Sequence, residues 1–386
     1  MNQPRHVVVV GAGYAGVMAA NRILAARPPG VTVTVVNPRA DFVERIRLHQ
    51  YAADSGTATV PLAEVLHPDA RVRVASVELI GERELTLADG EVLGFDHLVY
   101  AVGSGTAGGP DGAEHAFTVG GFEDADRLRT RLRELSDGAT VVVVGGGLTG
   151  IEAAAEIAER RPDLLVRLAS AGAVGVGLAP RGRRSVARTL GSLGVDVRAG
   201  ARVRRIEPDR VVLADGSDLA ADCVVWAGAF AVPDLARRSG LPVDAGGRLR
   251  TDENLVCLGN PAIVGVGDAV APPEAVAGHI RMSCQAALPL GAHGADTVLA
   301  QLAGRNPEPL SMGFLLQCVS LGRRAGVVQF VRTDDSPRKL ALRGRMGAFV
   351  KEQICRQTVS KRGARAGSYR WLSGPAPARE EQGVPA

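Results

Sequence analysis

Short unbroken runs of apolar residues recur along this chain, and two of them stand in the same context. Val7 to Val10 precede Gly11-Ala12-Gly13-Tyr14-Ala15-Gly16, and Val141 to Val144 precede Gly145-Gly146-Gly147-Leu148-Thr149-Gly150. An apolar run of this length bounded by a turn is the pattern of a strand buried on both faces. Each turn leads into Ala-rich sequence of helical character, Val17 to Ala26 and Ile151 to Arg160. A second apolar run follows in each case, Val31 to Val36 and Leu164 to Ala169. The expectation, made twice, is strand, glycine turn, helix and strand, the repeating unit of a doubly wound parallel sheet.

The glycines define what such a unit can hold. Gly11 and Gly145 allow the tight turn, Gly13 and Gly147 let a ligand approach the backbone, and Gly16 and Gly150 let the helix pack closely on the strand. The helix then starts with free N–H groups aimed at a pyrophosphate. Among 48 glycines in 386 residues, the bare spacing G-x-G-x-x-G arises by chance roughly 0.7 times. The weight therefore rests on the flanking strands and helices and on the duplication. The fold class read from this pattern is α/β, with two Rossmann-like dinucleotide-binding domains and a small C-terminal region.

The remaining pattern fills in the organisation. Val72 to Ile80, Glu84 to Leu87 and Leu98 to Val102 read as strands, with an Asp89-Gly90 turn between the last two. Tyr100-Ala101-Val102-Gly103-Ser104-Gly105 reads as a crossing between domains. The second unit continues through a helix at Arg181 to Leu193, strands near Val195 to Val197 and Val203 to Ile206, an Asp215-Gly216 turn and the strand Cys223 to Trp226. The chain then returns through a buried strand, Ile263 to Gly267, that ends at Asp268, and a long helix from Cys284 to Leu302. From Arg305 onward no regular pattern is read, and Pro375 to Ala386 read as a disordered tail. The boundaries expected are residues 1–107 and 231–304 for the first domain, 108–230 for the second and 305–386 for the C-terminal region.

Charge and cysteines narrow the function classes. No stretch of about 18 uncharged apolar residues occurs, which argues against a membrane-spanning helix. The Val run after Arg5 and His6 is too short for a signal peptide. Five scattered cysteines, at 223, 257, 284, 318 and 355, fit a reducing cytoplasm and offer no disulfide framework. No C-x-x-C or H-x-x-x-H spacing suggests a metal. Between Arg338 and Leu372 ten Lys or Arg face one acid, Glu352, and the rest of the chain holds 35 basic against 40 acidic residues. That balance argues against a nucleic-acid surface spread over the protein.

This arrangement resembles the FAD-dependent pyridine nucleotide oxidoreductases, and within them the branch of type II NADH dehydrogenases, over roughly residues 5 to 305 as judged by the dinucleotide fingerprint. Four stretches carry the resemblance: the Gly11 turn, the Ala101-Val102-Gly103-Ser104 crossing, the Gly145 turn with Ile151-Glu152, and Val264-Gly265-Val266-Gly267-Asp268-Ala269. The resemblance implies FAD on the first unit, NADH or NADPH on the second, and Asp268 against the ribityl chain of the flavin. It also implies that the helix starting near Ser283-Cys284-Gln285-Ala286 turns its N–H groups to the flavin edge, with Gln285 toward a quinone pocket. Glu152 matches a glutamate that contacts the nicotinamide amide or relays protons; as residues alone, Glu152, Glu156 and Glu159 read equally as a surface acidic face.

Departures from that pattern are informative. No cysteine precedes Cys223, so the redox pair of the disulfide reductases is missing. Asn37 stands where an acid for the adenosine ribose is expected, and Ser170 stands at the matching place in the second unit. With Arg167 nearby and Arg181, Arg183 and Arg184 downstream, NADH and NADPH both stay open. Arg45, Arg47, His49 and Gln50 occupy the place of the missing cysteines. They read either as a cationic site with His49 as proton donor or as a solvated basic helix face. His279 is a second proton-donor candidate, and Cys284 with Cys318 leave a sulfide-type chemistry open.

The expected reaction is hydride transfer from NAD(P)H to flavin and then electron delivery to a quinone or quinone-like small molecule. Two alternatives stay open: a soluble flavoenzyme acting on a pathway metabolite, and a redox-sensing or electron-transfer flavoprotein with a protein partner. Met346, Phe349, Val350, Ile354 and Val359 fall near helical spacing among Lys351, Arg356, Lys361 and Arg362, followed by Tyr369 and Trp371. This stripe reads either as a peripheral membrane anchor or as a terminal helix packed on the body. The expected setting is the cytoplasm, with contact at the inner face of the membrane and a homodimer as compatible associations.

Overall fold

A computed structural model describes residues 4–106, 108–360 and 364–375. The first valine run forms the strand Arg5–Val10, in which Val7, Val8 and Val9 are fully buried. It pairs in parallel with Val31–Asn37 on one side and His97–Tyr100 on the other. Arg71–Val74 extends one edge, while Asn260–Gly265 and then Val256–Cys257 complete the other, giving six strands that are parallel except for the last pair. The second valine run, Thr140–Val144, is the middle of a five-stranded parallel sheet. Its neighbours are Leu165–Ser170, followed by Asp196–Ala199, and Cys223–Trp226, followed by Phe117–Thr118. Strands covered on both faces need apolar side chains throughout, which is why the two runs do not alternate.

Each parallel sheet carries a small antiparallel meander. One consists of Val77–Ile80, Glu84–Leu87 and Val92–Gly94, the other of Val203–Glu207, Arg210–Leu213 and Asp218–Ala220. The Asp-Gly turns fall inside these meanders, and Gly90 and Gly216 take the left-handed conformation that such turns demand. Reading Val72 to Ile80 as one strand is corrected here. The Ala75 N–H closes the large sheet on the Asn37 carbonyl, and the chain turns there to pair with Glu84–Leu87 instead. The long helix Cys284–Leu302 follows its expected bounds and packs along the first nucleotide helix, Tyr14–Ala25. Gly291 permits the approach, since a Cβ there would overlap the backbone of Ala15.

The expectation of irregular structure after Arg305 is overturned. Leu316–Leu321, Ala325–Val331 and Pro337–Arg343 form an antiparallel sheet, and the helix Gly344–Ser360 packs across its middle strand. The sheet also packs on the second nucleotide helix, Leu148–Arg160. Gln317 and Gln329 sit at buried positions of its strands, so apolar alternation is interrupted inside the core. Lys361, Arg362 and the tail beyond Pro375 lie outside the described residues, as do the side chains of Val359 and Arg365. Among the described residues no helix is long and apolar enough to cross a membrane.

Candidate active site

The two glycine turns are built alike. Gly11 and Gly145 have φ of +99° and +130°, and a Cβ on either would overlap a carbonyl oxygen, of Ala101 and of Ala227 respectively. A Cβ on Gly16 would overlap the Gly11 carbonyl, and one on Gly150 the Gly145 carbonyl. Gly13 and Gly147 differ from both, because a Cβ there would meet nothing within 4 Å. The outer glycines are thus required by packing, while the middle ones face open space. Both helices start at these middle glycines with no side-chain cap and no acid in the first turn. Uncapped N–H groups beside an unobstructed backbone fit an anionic pyrophosphate, once in each unit.

Asn37 braces the first turn. Its Oδ1 accepts from Ala12 N at 3.0 Å and its Nδ2 donates to the Arg39 carbonyl at 2.8 Å. Ser170 is buried at the end of its strand and faces Gly146, where a Cβ would overlap its hydroxyl. The loop after it, residues 171–177, holds only Ala, Gly and Val. Arg167 is turned to Asp196 at 3.8 Å and to the Ala220 carbonyl.

A polar cluster lies beside the first turn. Ser104 Oγ donates to Asp268 Oδ2 at 2.7 Å and accepts from Arg45 Nη1 at 3.2 Å. Arg45 Nη2 donates to the Gly120 carbonyl at 2.9 Å, and Ser283 N donates to Asp268 Oδ1 at 3.2 Å. Burial lowers the Arg45 pKa, opposed by the charge of Asp268. Gly103, with φ of +70°, lies next to the Arg45 guanidinium, and Gly267 carries the turn into Asp268 with φ of +78°. The structure therefore brings together Arg45, Gly103, Gly267, Asp268 and the start of the Cys284–Leu302 helix. There Ser283 Oγ accepts from Ala286 N, which caps one of the N–H groups expected to face the flavin edge. Arg47 and Gln50 do not form a solvated face. Arg47 pairs with Glu44 at 3.1 Å and Glu352 at 3.0 Å and donates to Gln50 Oε1.

A second cluster joins four separate elements of the chain. Glu152 Oε1 accepts from Ser320 N at 2.9 Å and Ser320 Oγ at 3.1 Å, and Lys351 Nζ lies 3.1 Å from the same oxygen. His49 Nε2 is 3.1 Å from Ser320 Oγ and His49 Nδ1 is 4.0 Å from Glu152 Oε2. Exposures of 4% for His49, 12% for Glu152 and 13% for Lys351 make this a nearly dry ion pair. Burial drives the His49 pKa down to about 4, so the ring is neutral near pH 7. Burial would raise the Glu152 pKa, but Lys351, His49 and the Ser320 N–H together hold it below its ordinary value. Burial would depress Lys351, and Glu152 reverses this to a raised pKa. Burial pushes the Cys284 and Cys318 thiols up to about 11, so both are protonated near pH 7. All five cysteines are free.

Ser320 and Arg281 escaped the sequence reading, whereas Ser104 stood in the Ala101-Val102-Gly103-Ser104 crossing and Lys351 in the C-terminal apolar stripe with no site role given to either. That stripe is divided in the fold. Lys351 and Cys355 turn inward, whereas Met346 and Phe349 are 59% and 62% exposed. They border a groove of about 1000 Å³ that Ser320, Arg323, Lys351 and Cys355 also line. His279 is taken by the Met312 carbonyl at 2.7 Å.

Two dinucleotide cradles in one chain, joined by a buried acid–base cluster, define an oxidoreductase of the two-nucleotide class. The sequence pattern of the pyridine nucleotide-disulphide oxidoreductases matches residues 5–291, and the chain belongs to that family. It is 32% identical to an NADH dehydrogenase-like protein of Mycobacterium tuberculosis, across 90% of this chain and 92% of that protein. It is 28% identical to the type II NADH:quinone oxidoreductase of the same organism, across 78% and 74%. Its fold is shared with NDH2 from Plasmodium falciparum, solved in complex with NADH, at a TM-score of 0.79 over 95% of this chain and 96% of that one, with 14% identity. The protein is thus an NAD(P)H-dependent oxidoreductase that uses FAD.

Proposed function

We propose that the protein oxidises NAD(P)H and delivers the electrons to a quinone, with Glu152 and Lys351 serving the acceptor side. The carrying observation is that the Glu152–Lys351–Ser320 cluster opens on a groove with an apolar rim. A quinone needs apolar surface for its ring and protons at its oxygens when reduced. Met346 and Phe349 offer the first, and Lys351 and Glu152 hold a proton between them.

FAD supplies the hydride and electron chemistry when bound. Gly13 and the start of Tyr14–Ala25 would hold its pyrophosphate, and Arg45, Ser104 and Asp268 would bind its polar chain. Gly147 and the start of Leu148–Arg160 would hold that of NAD(P)H. His49 is neutral, and with Ser320 Oγ donating to Glu152 its Nε2–H donates to Ser320, which is proposed to fix the orientation of the carboxylate beside Lys351. Exposed Met346 and Phe349 beside Arg345 and Arg356 support peripheral contact with an anionic lipid surface, the quinone's usual solvent.

The test is an anaerobic titration of the yellow holoprotein with NADH and with NADPH, followed by menadione under the same conditions. Bleaching of the oxidised flavin band and its return on adding menadione are expected. No bleaching by either nucleotide, or no return with the quinone, overturns the proposal.

A further inference from the structure

The second cradle carries more positive charge than a pyrophosphate on helix N–H groups requires. No acid stands between Asp163 and Asp196, where five arginines do. The loop after Ser170 folds back over the glycine turn: Gly175 N donates to the Gly146 carbonyl at 2.9 Å, and a Cβ on Gly146 would overlap Ser170 Oγ. Ser170 is 5% exposed, and its hydroxyl has no hydrogen-bond partner among the described residues. The helix Pro180–Ser192 comes next and is fixed at its start by the C-terminal sheet. Ala179 N donates to Gln329 Oε1 at 3.2 Å, and a Cβ on Gly182 would meet the same oxygen at 3.3 Å. That seat lays the Arg183 stem along the loop, its Cγ 3.8 Å from where a Cβ on Gly175 would stand. Arg181, Arg183 and Arg184 are exposed, and among the described residues their side chains make no ion pair or hydrogen bond. Arg167, by contrast, faces Asp196.

We infer that this cradle selects NADPH over NADH, with Ser170 and Arg183 receiving the 2′-phosphate of the adenosine ribose and Arg181 and Arg184 adding to the positive field around it. In a dinucleotide fold the side chain at the end of the second strand meets the ribose 2′ position, where a carboxylate accepts from the hydroxyl of NADH and an arginine accommodates the phosphate of NADPH. A phosphate monoester carries about −1.5 to −2 charges at neutral pH. A carboxylate at position 170 would repel it, whereas the Ser170 hydroxyl can donate to it. The guanidinium adds charge-assisted hydrogen bonds in the planar fork that phosphate oxygens fit. NADH brings a neutral hydroxyl to the same place, and an exposed arginine gains little from that. The inference rests on NAD(P)H occupying the Gly145 turn and is independent of the acceptor.

Isothermal titration calorimetry of NADP+ and of NAD+ into the oxidised holoprotein reads this selection without turnover. NADP+ should bind about tenfold tighter or better, the lower end of what hydrogen bonds to a charged group contribute. Arg183→Met should remove most of that advantage and leave NAD+ within about twofold, as befits an exposed position. Ser170→Asp should weaken NADP+ and spare NAD+, and added salt should narrow the gap between the two nucleotides. NAD+ binding as tightly as NADP+, or neither nucleotide binding, overturns the inference. So does an Arg183→Met variant that keeps the preference, or one that weakens both nucleotides alike, since the latter is what a purely structural role would give. Ser170 is buried, so Arg183→Met decides the matter if Ser170→Asp does not fold. Flavin bleaching and its reversal by menadione are read on the same samples; their failure beside intact NADP+ selection sinks the proposed function alone.

Discussion

Replacing Lys351 by methionine keeps most of the side-chain volume and removes the cation that faces Glu152 at 3.1 Å. Breaking a buried pair typically costs about 3–5 kcal/mol, because the surviving charge is left uncompensated. Glu152 keeps two hydrogen bonds from Ser320 and is 12% exposed, which places the expected loss near the lower end, about 3 kcal/mol. That figure corresponds to a Glu152 carboxyl raised by about two pKa units over its unfolded value. A group raised on folding contributes stability below its unfolded pKa and loses it as pH rises through the folded one. The deficit of Lys351→Met against wild type should therefore be about 3 kcal/mol at pH 8 and shrink to about 1 kcal/mol at pH 5. Urea unfolding followed by far-UV circular dichroism at the two pH values measures it. A deficit of the same size at both would show that the lysine contributes packing, and the account of a buried charge would be wrong.

Gly13→Ala should fold and retain less flavin, by about tenfold or more in affinity, since the new methyl enters only the space the ligand backbone approach requires. Gly16→Ala should fail to give folded protein, its methyl overlapping the Gly11 carbonyl; circular dichroism and flavin content of the two variants check both statements. His49 is depressed to about 4 in the fold, so the unfolded chain takes up its proton first, and the wild type should lose up to about 3 kcal/mol as pH falls from about 6.5 to 4. His49→Gln should lack that part of the slope, and identical slopes for the two proteins would refute the assignment of a neutral buried ring.

What was legible in the sequence was local. A glycine turn between a strand and a helix is specified by a dozen consecutive residues, so Gly11 and Gly145 could be placed from their spacing together with the apolar strands and Ala-rich helices that flank them. Asp268 was legible for the same reason, at the end of a buried strand. The Glu152 cluster was not. Its members lie on the second nucleotide helix, a short helix after residue 47 and two C-terminal elements, and nothing in the spacing of 49, 152, 320 and 351 announces that they meet. The C-terminal sheet escaped because Gln317 and Gln329 occupy interior positions, where Gln329 Nε2 satisfies the carbonyls of Phe330, Arg338 and Leu340. A polar side chain with internal partners is indistinguishable in sequence from a surface one.

The placement of Lys351 also bears on how the protein is made. Both nucleotide units leave the ribosome before this residue, and domains fold as they emerge. Until the Gly344–Ser360 helix arrives, His49 and Glu152 face each other across a wet seam with no cation to close it. The halves can fold early, yet the seam becomes dry only when the late helix docks. Closure of the buried cluster then waits for the last long helix of the chain, and a nascent chain halted short of it would leave Glu152 without its cation.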